Sequence, residues 1–165
     1  MRRRTAESIR LGVEAALAAS IPQVLIPKLH ERLLLRPGEA ELGPRFVQRL
    51  AAMAGRRLPE DVKWLGASAF HFGYAALWGA VYALAYERRP VHPLAGRVLL
   101  GAVIYLATFT RWGGAVQTGT EKPPGRRSAR KELVLLTAPF TFSLGTALGY
   151  GRGPRPWRGR WRTGW

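Results

Sequence analysis

Two ionisable side chains stand inside long apolar runs, where such groups are rare: Glu14 and His71. A carboxylate or an imidazole among apolar residues is costly to bury, so each needs a partner, and each is a functional-site candidate for that reason. Glu14 follows Arg10 by one helical turn, the spacing that sets opposite charges side by side on a helix. A neutralising pair within the helix is the simpler expectation. A Glu14–His71 relay that moves a proton or a cation is the functional alternative. For His71 the alternatives are a hydrogen bond to a neighbouring helix, or axial ligation of a haem or a chlorin pigment. A lone histidine with no facing second one favours the hydrogen bond.

Other chemistries lack their residues. There is no cysteine, hence no disulfide, thiolate ligand or thiol nucleophile. There is no phosphate-binding loop, no GxSxG elbow, no HExxH and no His and carboxylate set at metal-ligand spacing. The expectation is a protein that is not an enzyme and carries no resident metal.

The element that must position His71 is the run 65–86, LGASAFHFGYAALWGAVYALAY, which has no Asp, Glu, Lys or Arg. As a helix it is about 33 Å long, enough to cross a hydrocarbon core of about 30 Å. Gly66, Ala69, Gly73, Ala76, Ala80 and Ala83 recur in a three-four rhythm and line one stripe. Small stripes let helix backbones approach closely in lipid. That stripe is therefore expected to face a neighbouring helix, with His71, Tyr74, Trp78 and Tyr82 opposite and outward.

Glu14 belongs to a first span, 9–26, whose Gly12, Ala16 and Ser20 form a second small stripe. Pro22 is expected to kink this helix and Pro27 to help end it. The polar connector 28–64 holds an amphipathic segment, 44–58, with Val47, Leu50, Ala51, Ala54 and Leu58 on one face. It is read as a helix on the membrane surface, or equally as a cap over the bundle. A tight prolyl turn leads to a span at 94–110, a loop covers 117–130, and the last span is 133–150. There Gly145 and Gly149 make a GxxxG element for close packing, and Pro139 implies a kink. The fold class is an all-α integral membrane bundle of four transmembrane helices with one short interfacial helix. It occupies 1–150 and is followed by a tail, 151–165. In the tail Arg152, Arg155, Trp157, Arg158, Trp161 and Trp165 suit an anionic headgroup layer.

The formal charge of +16 raises nucleic-acid binding. Uncharged runs long enough to span a bilayer, with Arg at their borders, explain the charge better, and no nucleic acid is expected. The mean hydropathy of −0.08 averages apolar blocks with Arg-rich connectors. The basic start has features of a signal peptide, but Glu14 interrupts its core, so a retained anchor is expected. Four spans place both termini on one side, and their Arg clusters lean that side towards the cytoplasm.

Residues 71–90, HFGYAALWGAVYALAYERRP, resemble the YagU-like family of small bacterial inner-membrane proteins. The shared pattern is His-aromatic-Gly-Tyr-small-small leading into Gly-Ala-x-Tyr-Ala-Leu. The resemblance implies four spans in a bacterial inner membrane and supplies no catalytic residue. The functional expectation is a structural or accessory subunit, with lipid and other membrane subunits, or further copies of itself, as partners. A small oligomeric transporter using Glu14 and His71 is the alternative, and a haem- or chlorin-binding subunit through His71 is a third.

Overall fold

Helix-forming runs separated by glycine and proline set the element order. The computed structural model describes residues 2–35, 42–88 and 93–152, in which every element is a helix. They are α1 (Arg2–Leu34), α2 (Leu42–Met53), α3 (Glu60–Arg88), α4 (Pro93–Phe109), the short α5 (Gly114–Gln117) and α6 (Ala129–Arg152). In the tail, Arg155, Trp157, Arg158, Trp161 and Trp165 lie outside the described residues, as does the side chain of Arg152.

Two element boundaries differ from expectation. α1 does not stop at Pro27 but continues to Leu34. A proline removes one backbone bond and leaves the neighbouring bonds in place, so the leucine-rich run around Pro22 and Pro27 carries the helix through both. Conversely, the amphipathic helix expected to reach Leu58 ends at Met53. Gly55 sits at φ +71°, and two bonds close the end, Arg56 N–H to the Ala51 carbonyl (2.9 Å) and Gly55 N–H to the Ala52 carbonyl (3.0 Å). That is a Schellman stop, with glycine at the left-handed position that other residues rarely adopt.

Contacts fix the helix directions. Gly12 meets Gly79 while the Ser20 carbonyl meets His71, so α1 and α3 are antiparallel. Ala15 meets Gly149 and Ala19 meets Gly145, so α6 also opposes α1. Gly101 of α4 meets Phe140 and Ser143 of α6, and Tyr105 reaches Glu132 nearer the start of α6, again antiparallel. α1 thus lies between α3 and α6, with α4 against α6. One end of the bundle gathers the start of α1, the end of α3, the start of α4 and the end of α6. The opposite end carries α2 and the connector between α4 and α6.

The expected faces of α3 are turned round. Ala69 and Gly73 are exposed and nothing approaches Gly73 within 4 Å. Ala76 and Ala80 are half-buried, while Gly66 packs on Val47 of α2 and Ala83 on α1. Tyr82 is buried, and Tyr74 and Trp78 pack against the core. The physical reason is that α3 must cover four neighbours, α1, α2, α4 and α6. Glycine and alanine serve where backbones touch at α1, but the wider gaps to α4 and α6 need long side chains. Tyr74 bridges to α4 through a 2.8 Å bond between its hydroxyl and that of Thr108, and Tyr82 stacks edge-on against Tyr150 of α6.

Small side chains sit where helices touch, and many large apolar ones lie on the surface. The centre holds Ala15, Ala16, Ala19, Ala75, Ala83, Ser20, Ser143 and Thr146 together with Tyr82, Leu100, Ile104, Phe142 and Tyr150. Large apolar side chains point away from it: Leu65 is 72% exposed, Leu77 56%, Leu99 59% and Leu25 62%. Water-soluble bundles place charged residues on that surface. Two segments, Ala95–Gln117 and Ala129–Gly151, are long and apolar enough to cross a membrane, with mean hydropathy 1.3 and 1.4.

Candidate functional site

The first candidates do not come together. Glu14 lies on the outer side of α1, its carboxylate 3.5 Å from the guanidinium of Arg10, and both side chains are more than half exposed. His71 is half-buried on α3, and its Nε2 stands 3.4 Å from the Ser20 carbonyl of α1. Ser20 also donates its hydroxyl to the Leu17 carbonyl (2.7 Å), a local bond of the kind that bends helices near a proline. His71 acts there as a tie between two helices. Among the described residues no three His, Asp or Glu side chains converge as a metal site would require.

The concentrated polar chemistry lies at the other end, where α4 hands over to α6. Gly113 makes the turn after α4, where a Cβ would meet the Thr108 backbone at about 2.5 Å. α5 and its successor turn are held by their own side chains. Gln117 donates to the Arg111 carbonyl (2.8 Å), Thr118 to the Gly114 carbonyl (2.8 Å), and the Thr118 and Thr120 hydroxyls pair at 2.8 Å. Gly119 (φ +68°) and Gly125 (φ +84°) take the left-handed positions that these turns need.

Arg127 sits at the middle of this end with its side chain 1% exposed. One guanidinium nitrogen donates to the Phe109 carbonyl (2.6 Å), another to the Glu132 carboxylate (3.1 Å), and Nε donates to the Lys122 carbonyl. The Phe109 carbonyl is one of the groups that a helix end leaves without a partner, so Arg127 caps α4. Glu132 lies in the first turn of α6, where a carboxylate also complements the helix dipole, and its other oxygen accepts from the Tyr105 hydroxyl. Beside it Lys131 and Glu121 form a second buried pair at 3.2 Å, their side chains 9% and 8% exposed. One arginine thereby fastens the end of α4, the connector and the start of α6.

This fastened connector forms one wall of a cleft of about 850 Å³. The other walls are α2 and the start of α3. Its charged lining is Arg45, Arg49, Lys63 and Lys122 against Glu60 and Glu121. α2 is held in place by apolar contacts with α3: the Phe46 and Phe70 rings lie 4.6 Å apart, and Val47 fills the space over Gly66. The Gln48 amide carries the chain after α2 back onto it, accepting from Leu58 N–H (3.2 Å) and donating towards the Arg56 carbonyl (3.5 Å). α2 is thus a cap on the bundle, with Leu50 and Met53 left outward.

The sequence marks 117–130 only as a loop and does not predict this cluster. A signal was present: Glu121 and Glu132 are the acids of a run from 111 to 132 that is otherwise basic or uncharged. Isolated acids among arginines and lysines mark pairing.

Compared with protein-family models, with curated proteins and with solved structures, the chain finds no match in any of the three.

Proposed function

We propose that the chain is a small multi-pass membrane protein that serves as a non-catalytic accessory subunit, packing laterally against a partner in a larger membrane complex. The observation that carries this reading is the set of leucine, valine and phenylalanine side chains left exposed on α1, α3, α4 and α6, around helices that touch one another through alanine, glycine and serine. In water that arrangement forfeits burial of apolar surface. In lipid it is the stable one, because helix packing and not water exclusion drives association. On this reading α1 and α3 span the membrane beside α4 and α6. The charges of α3 lie at its ends, and within the uncharged run 65–86 the glycines, tyrosines and histidine lower the hydropathy. Both termini share one side, proposed to be cytoplasmic, in the bacterial inner membrane that the resemblance of residues 71–90 to the YagU-like family implies.

The partner surface is the outward furrow of α3. Ala69 and Gly73 form its floor, with Phe72 exposed beside it. A helix of a neighbouring subunit can approach that floor closely. The test is purification of the tagged protein from its own membranes in mild detergent, with mass spectrometry and an absorption spectrum of the product. Stoichiometric partners, lost on Gly73→Leu without loss of the folded protein, support the subunit reading. A lone colourless oligomer refutes it. A visible band that disappears in His71→Ala assigns the protein instead to the pigment class.

A further inference from the structure

The cleft at the α2 end has a charge balance that the rest of the fold leaves unmatched. Of its two acids, Glu60 is paired with Lys63 and Glu121 with Lys131. Arg49 lines the cleft from α2 and Lys122 from the connector, and neither side chain has a side-chain partner among the described residues. Two free cations on opposite walls raise the local concentration of anions.

We infer that this cleft binds a phosphate-bearing anion, with Arg49 and Lys122 as its principal donors. Phosphate oxygens accept from several donors at once, and arginine and lysine are the side chains that supply them. The cleft volume falls in the range of small-molecule sites, roughly 300 to 1,000 Å³, so it accommodates a phosphate together with the group that carries it. The walls are pre-set: Arg127 locks the connector and the aromatic contact of Phe46 with Phe70 locks α2. A rigid cleft spends little binding energy on ordering itself.

Two sources carry this chemistry. Trp64 and Trp112 are exposed at the same end of the bundle, as indole rings are at the boundary of a bilayer, which brings lipid headgroups to the cleft. That source rests on the membrane reading. The ligand class does not, since it follows from the lining alone.

The experiment uses the full chain purified in mild detergent. Its thermal midpoint is followed with added phosphatidylglycerol, phosphatidylcholine or soluble pyrophosphate. Variants are Arg49→Ala/Lys122→Ala, the charge reversal Lys122→Glu, and Arg126→Ala, an exposed cation outside the cleft. A stabilising shift with phosphatidylglycerol that phosphatidylcholine does not give is expected. It should fall by at least half in both cleft variants and persist in Arg126→Ala. A shift with pyrophosphate alone, lost in the same variants, supports the site with a soluble ligand as its source. Equal responses of wild type and cleft variants, or no response of the wild type to any anion, overturn the inference. The pyrophosphate arm judges the cleft even where fractionation finds the protein outside membranes, an outcome that would refute the membrane reading and not the site.

Discussion

Gly12 and Gly79 meet backbone to backbone where α1 crosses α3. A Cβ placed on Gly79 would overlap the Gly12 carbonyl and lie 2.6 Å from the Ala16 Cβ, and one on Gly12 would lie 2.7 Å from the Ala83 Cβ. Neither neighbour has a flexible end that could swing away. Gly79→Leu is therefore expected to destabilise the bundle by at least about 2 kcal/mol, the usual scale of overpacking. Gly73→Leu, six residues earlier on an open face, should stay within about 0.5 kcal/mol. Denaturant titration of the two variants in detergent compares them directly, and equal losses would mean that α3 is rotated from the position described.

Removing Arg127 strands the Glu132 carboxylate and uncaps the Phe109 carbonyl in one step. Arg127→Ala should cost about 3 to 5 kcal/mol, as breaking a buried ion pair from one side does. Arg127→Lys keeps the charge but has one nitrogen for three acceptors, so it should recover only part of the loss. Protease sensitivity of the connector reads the same event locally. A variant whose connector resists cleavage as well as wild type would show that the arginine holds nothing.

The hydroxyl bond between Tyr74 and Thr108 bridges helices whose backbones stand apart. Tyr74→Phe and Thr108→Val should each cost about 0.6 to 1.7 kcal/mol, the range found for interhelical bonds in membrane proteins. The double variant should cost less than the sum, because both remove one bond. Strict additivity would separate the two residues.

Glu14 and His71 are predicted to act separately. Glu14→Gln breaks an exposed pair one turn long and should change stability by no more than about 0.5 kcal/mol. His71→Ala removes a bond to the Ser20 carbonyl and should cost about 1 kcal/mol. In reconstituted vesicles neither change should alter ion flux. Loss of a wild-type flux in Glu14→Gln would restore the transport reading.

Helix positions were legible in the sequence because uncharged apolar runs are long and glycine and proline punctuate them. Gly145 and Gly149 could be assigned to a packing face because their neighbours in sequence are large. The rotation of α3 could not be read, since small and aromatic stripes are both plausible inner faces until the number of neighbours is known. Gly79 belonged to neither expected stripe, yet it lies where the backbones of α3 and α1 meet. The α4–α6 connector was opaque for another reason. Its order comes from Arg127 reaching the backbone of Phe109 and Lys122 and the carboxylate of Glu132, and contacts to backbone carbonyls leave no trace in residue spacing. The end of α2 was readable in principle, since Gly55 followed by two arginines and Pro59 is a helix stop, but the apolar period through Leu58 masked it.

In a bundle that spans the bilayer the outward leucines and valines face lipid. The absence of cysteine makes single-cysteine labelling a direct test, because each introduced thiol is the one reactive group in the chain. Leu77→Cys on α3, Val103→Cys on α4 and Arg126→Cys in the connector would be exposed, in sealed and in opened native membranes, to a charged maleimide. All three sites are solvent-exposed in the isolated bundle. The connector site should label once its side is accessible, and positions 77 and 103 should stay protected until the membrane is dissolved and the protein unfolded. Prompt labelling of both helix sites in intact membranes would contradict the reading of the bundle as one that spans the bilayer.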